Sequence, residues 1–88
     1  TALGAFALDA NTTASENTGV GYLALSGNTT GAYNTAVGTN SLYNNTTANN
    51  NTGLGRDTLY SNTTGASNTA VGADALQYNT TGLQNVAV

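Results

Sequence analysis

The chain has 88 residues, with one Arg, no Lys or His and four acidic residues, for a net charge of −3. That length holds one domain at most, and so little positive charge argues against nucleic acid as a partner. Without Cys there is neither a disulfide framework nor a thiolate metal site, and the longest apolar run, Ala2 to Leu8, is too short to insert in a bilayer.

Laid out with a step of 17, the chain falls into copies 1–17, 18–34, 35–51, 52–68 and 69–85, and residues 86–88 open a sixth, with no insertion or deletion. A period this strict marks a single repeat array. Because it starts and stops in mid-array, the chain is expected to be an excerpt of a longer protein. We number the positions of a copy as slots one to seventeen.

Slots one to three read Thr-Ala/Gly-Val/Leu in the complete copies and predict a short β-strand. Slot three is Leu3, Val20, Val37, Leu54, Val71 and Val88 and is expected to face the core. Slot four is always Gly (Gly4, Gly21, Gly38, Gly55, Gly72), which predicts a bend or a close backbone approach. Slots six to eight predict a second short strand, ending on a core Leu: Leu8, Leu25, Leu42, Leu59 and Leu76. A helix is excluded because slots three and eight lie five residues apart, about 140° around a helical wheel. Slots eleven to thirteen are Asn-Thr-Thr, beginning at Asn11, Asn28, Asn45, Asn62 and Asn79. With Gly or Ala following, they predict a turn in which Asn and Gly take positive φ. Slot seventeen is Asn17, Asn34, Asn51, Asn68 and Asn85.

A unit this short cannot hide Val and Leu by itself. Stacking like units in parallel does so, and gives an all-β parallel β-solenoid, a β-roll of 17-residue coils with coils about 4.8 Å apart. Like residues then form ladders. Asn above Asn links side-chain amides along the axis, so both Asn series are expected to be ladders. The alternative for Asn-Thr-Thr, an N-glycan acceptor, is the weaker reading beside a turn. Each coil has little apolar mass, and the second strand face carries only small residues in slots two and four. The small face is therefore expected to receive a neighbouring chain, with chains wound side by side.

The Thr-Ala-Val-Gly at 35–38 and 69–72, followed by a small residue and Leu, resembles the head repeats of trimeric autotransporter adhesins. Similar Asn-Thr-Ala-Val/Leu-Gly arrays occur in phage tail fibres and related surface fibres. The resemblance covers every copy, although this coil is longer than many of those head repeats. It implies a left-handed β-roll, a homotrimer, and an extracellular place on a cell or virion surface. The implied function is that of a structural or adhesive fibre segment, a stiff stalk or head that projects or contributes to receptor binding. The alternatives are another extracellular filament subunit or an ice-binding solenoid. Ice binding is disfavoured because the adjacent threonines of Asn-Thr-Thr point to opposite sides.

Nothing in the sequence assembles a catalytic constellation, so no enzymatic activity, cofactor or metal is expected. Asp57 and Asp74 share slot six. They fit a hard-cation site less well than a pair of solvated acids, and with Asn40 they are expected to be exposed. The tyrosines Tyr22, Tyr33, Tyr43, Tyr60 and Tyr78 occupy variable slots, which places them at the surface as contacts for a host glycan or protein. Tyr43 and Tyr60 share slot nine and are expected to stack.

Overall fold

The computed structural model describes all 88 residues. Each copy contributes one strand: β1 (Ala2–Leu3), β2 (Thr18–Val20), β3 (Thr35–Val37), β4 (Thr52–Leu54), β5 (Thr69–Val71) and β6 (Val86–Ala87). The six lie in chain order in one parallel sheet. The register repeats the sequence step, with Thr18 beside Thr35, Gly19 beside Ala36 and Val20 beside Val37. The chain is thus a β-solenoid of about five turns, 27 Å along its longest dimension.

Slots six to eight are turns instead of a second strand. Three overlapping turns run from slot four to slot eleven. In the third coil Ser41 N donates to Gly38 O, Tyr43 N to Asn40 O and Asn45 N to Leu42 O. The first two turns need positive φ at their third residue, as type II turns do. Those residues are slots six and eight, where Asn40 and Leu42 have φ of 58° and 54°. Coil-to-coil bonding persists through the turns. Asn40 N donates back to Tyr22 O, and Leu42 N donates forward to Thr58 O. Of 54 backbone hydrogen bonds only 9 lie within the strands, so the turns hold the stack as much as the sheet does.

The strand faces are the reverse of those expected from the sequence. Slot two points inward: Ala36 and Ala70 are fully buried, and Gly19 and Gly53 lie against the interior. Slot three points outward, with Val37 38 % and Leu54 39 % exposed, Leu3 67 % exposed, and Val20 and Val71 half-buried. The core is therefore the Leu ladder of slot eight, with Leu25, Leu42 and Leu59 fully buried, lined by small residues of slots two and seven. The physical reason is volume. A strand one coil apart from its neighbours has a narrow interior already filled by one Leu per coil, and only Ala or Gly fits opposite.

The slot-four glycines make the expected close approach, but to the next coil of the same chain. At Gly38 φ is 130°, and a Cβ there would stand 2.6 Å from the carbonyl carbon and oxygen of Gly55. Positive φ does not fall in the Asn-Thr-Thr turns. It falls at slot sixteen, where Glu16, Tyr33, Asn50, Ser67 and Gln84 have φ between 56° and 62°.

Candidate functional site

Both Asn series form ladders, and their roles differ. In slot eleven the Asn28 Nδ2 donates to Asn11 Oδ1 at 3.0 Å, Asn45 Nδ2 to Asn28 Oδ1 at 3.0 Å, and Asn62 Nδ2 to Asn45 Oδ1 at 3.0 Å. The second amide hydrogen reaches the carbonyl three residues on, as in Asn28 Nδ2 to Gly31 O at 2.9 Å. In slot seventeen the side chain behaves as an extra peptide group. Asn34 Oδ1 accepts from the backbone N of Asn51 at 2.9 Å, and Asn34 Nδ2 donates to Ala48 O at 2.8 Å. The slot-fourteen carbonyl is the node where the ladders meet, since Ala48 O also accepts from Asn45 Nδ2. No buried side-chain nitrogen or oxygen lacks a partner. Asn28, Asn45 and Asn62 are fully buried with both amide hydrogens engaged. In the folded coil those three amides are closed to a transferase, and the turn-ladder reading accounts for them.

Outside, slot six brings Asn40, Asp57 and Asp74 into one column. Asp57 is only 9 % exposed, contrary to the expectation of open exposure. Its carboxylate is enclosed because Arg56 Nη1 donates to Asp57 Oδ2 at 2.8 Å and Asn40 Nδ2 to Asp57 Oδ1 at 2.9 Å. Arg56 Nη2 stands 3.4 Å from the Asp74 carboxylate, which is exposed, while Asn40 is half-buried. The guanidinium thus takes the position a cation would need between the two acids. Arg56 is 60 % exposed along its side chain, and such a surface pair contributes about 0–1 kcal/mol.

The tyrosines divide into two kinds. The rings of Tyr43 and Tyr60 stack at 5.1 Å with 5° between planes, each covering one face of the other, and both residues are half-buried. Tyr22 is 50 % exposed and meets Phe6 edge to face at 6.2 Å. Tyr33 and Tyr78 are exposed. No pocket opens in the surface, and no three acidic, His or Cys side chains converge. Reaching outward on the strands are the Val/Leu column of slot three and, two residues before it, the half-buried Thr column of Thr18, Thr35, Thr52 and Thr69. Nothing in the sequence marked this face as outward, because Val and Leu carry no signal of direction within a three-residue strand.

No protein-family model, curated protein or solved structure matches this chain. The contact surface is therefore read from its own chemistry. It offers an uncharged strand face, two exposed aromatic points beyond the Phe6–Tyr22 pair, and one compact ion-paired cluster.

Proposed function

We propose that this chain is a structural segment of an extracellular fibre on a cell or virion surface, non-enzymatic, a stiff stalk or head assembled from several copies wound together as a homotrimer. The observation that carries the reading is axial continuity. Every coil is joined to the next by a strand ladder, by the slot-eleven amides and by the slot-seventeen amides, without a break in register. Such a stack transmits load along its axis, and its length is set by the number of copies. The uniform resemblance of all copies to surface-fibre head repeats supplies the number three and the location. Tyr22, Tyr33 and Tyr78 are the exposed side chains that suit contact with a host glycan or protein.

The test is a set of chains with increasing numbers of the 35–51 copy, examined by small-angle scattering and light scattering. The expected result is a trimeric rod that lengthens by about 4.8 Å per added copy. A monomer that does not lengthen linearly overturns the fibre reading. Thermal hysteresis of the same samples separates the ice-binding alternative, for which a fibre segment gives none.

A further inference from the structure

We propose that the outward strand face, centred on the slot-three column Leu3, Val20, Val37, Leu54, Val71 and Val88, is the surface on which a second copy of this chain docks. The inference rests on the assembly reading above and assigns it a face, opposite to the small-residue face that the sequence suggested. Slot two is spent on the core: Ala36 and Ala70 are fully buried and a Cβ on Gly53 would already collide with Ser41 Oγ and Thr58 Oγ1. Slot four is spent on coil-to-coil contact within the chain. Only slot three remains apolar and outward.

Three observations fix the occupant. First, slot three is Val or Leu in all six copies, whereas the neighbouring outward slots five and six range over Ala, Tyr, Thr, Arg, Phe, Leu, Asn and Asp. A merely solvated position would vary as they do. Second, slots one to three hold no charged residue in any copy, so two such faces meet without burying an ion. Third, the column repeats at the coil spacing, about 4.8 Å. A helix presents its turns every 5.4 Å and falls out of step by about 3 Å over five coils, whereas another copy matches at every coil. A column that repeats in this way can line the common axis of a closed cyclic oligomer, where each copy presents the same residues in register.

The experiment uses the natural absence of Cys. Val37→Cys and Thr47→Cys place single thiols on the proposed face and on the exposed slot-thirteen column. Maleimide labelling is followed as the protein concentration rises from micromolar to millimolar, with light scattering on the unaltered chain and on Val37→Lys/Leu54→Lys. Expected are concentration-dependent protection of at least tenfold at position 37, none at position 47, and loss of association in the double Lys variant. Association of the unaltered chain with no protection at position 37, or with the double Lys variant associating as before, overturns the face and leaves assembly standing. A chain that stays monomeric at millimolar concentration overturns assembly and the face together.

Discussion

At the scale of single residues the fold rests on backbone conformations that its residue types do not favour. Leu42 and Leu59 are buried with φ of 54° and 49°, a region where a non-glycine residue costs about 1–2 kcal/mol. Burial of the Leu side chain offsets that cost by about 1.5–3 kcal/mol. Slot sixteen has no such compensation. Ser67 is exposed, its φ is 61°, and only its backbone N is bonded, to Asn49 O. Ser67→Gly therefore relieves strain and loses only chain entropy of about 0.5–1 kcal/mol, for an expected gain of up to about 1 kcal/mol and a melting point higher by about 4–8 °C per kcal/mol. Ser67→Val moves the other way, since β-branched residues tolerate this region least. Equal melting of the two variants in a thermal scan contradicts the assigned turn. Inside, slots two and seven compete for one space in the fourth coil, where a Cβ on Gly53 would stand 2.6 Å from Ser41 Oγ and 2.7 Å from Thr58 Oγ1. Gly53 shares its coil with Thr58, the largest slot-seven residue, while Ala36 shares with Ser41 and Ala70 with Ala75. The Thr58 hydroxyl bonds Ser41 Oγ at 2.7 Å and Gly55 O at 3.0 Å. Gly53 has no left-handed φ, so Gly53→Ala is a steric test alone, with an expected loss of about 1–3 kcal/mol. Thr58→Ala in the same chain should recover part of it, a coupling of about 0.5–3 kcal/mol between contacting sites. Strict additivity in denaturant titrations would show that the two side chains do not compete for one space.

At the scale of elements, the ladders decide more than the strands do. Asn45 is fully buried, makes two amide donations and accepts two, from Asn62 Nδ2 at 3.0 Å and from Asn51 Nδ2 at 3.4 Å. Asn45→Ala leaves Asn28 Oδ1 without its ladder donor and opens a cavity, at about 1–3 kcal/mol for each polar group stranded. The same change at Asn79 is milder, because Asn79 is half-buried and its Oδ1 accepts only from Asn85 Nδ2 at 3.5 Å, with no ladder Asn of a following coil. Chemical denaturation should show the central substitution costing more than twice the peripheral one; equal costs contradict a cooperative ladder. Gly38→Ala is the corresponding test of the strand end, where the added methyl meets the Gly55 carbonyl at φ of 130°, for an expected loss of about 1–3 kcal/mol. These elements also show what the sequence makes legible. The period is carried by invariant Gly, Leu and Asn, so coil length, parallel stacking, the Asn ladders, the Leu42 core and the Tyr43–Tyr60 stack are all readable from it. The direction of a three-residue strand is not, because one slot of difference reverses every side chain and neither face carries a charge to mark it. Nor is the second turn region, since Phe6, Leu23 and Leu42 do not announce a left-handed conformation that tertiary bonding imposes on them. Nor is the enclosure of Asp57, because the closest partner of its carboxylate is its own neighbour, Arg56, whose reach over the acid depends on the turn.

At the scale of the whole molecule, each strand contacts only the strands before and after it, so stability is a sum of coil terms and coil–coil interfaces. Removing a full copy should then delete one term of each and leave the rest intact. Deletion of residues 35–51 joins Asn34 to Thr52, which recreates the Asn-Thr junction found between the complete copies. Leu59 then stacks on Leu25, and Asn62 can donate to Asn28 as Asn45 does now. What is lost besides one coil is specific: the Tyr43 ring from the aromatic pair, the Ser41 hydroxyl from Thr58 and the Asn40 amide from Asp57. Thr58 keeps Gly55 O, and Asp57 keeps Arg56 through Oδ2 while its Oδ1 loses the Asn40 amide, so the loss of buried polar contacts is confined to one carboxylate oxygen. The shortened chain should fold with an unchanged β spectrum and a melting point lower by several degrees. Deletion of residues 35–52 removes one residue more and joins Asn34 to Gly53. The fourth coil must then either pull Gly53 out of the interior or break the slot-seventeen amide ladder, and either choice strands buried polar groups at about 1–3 kcal/mol each. That variant should be unfolded or frayed beyond the junction, seen as loss of amide protection in the fourth and fifth coils by hydrogen exchange. If the two deletions prove equally stable, the single-residue register of the ladders is not what holds the coils together, and the sheet and turns alone must suffice.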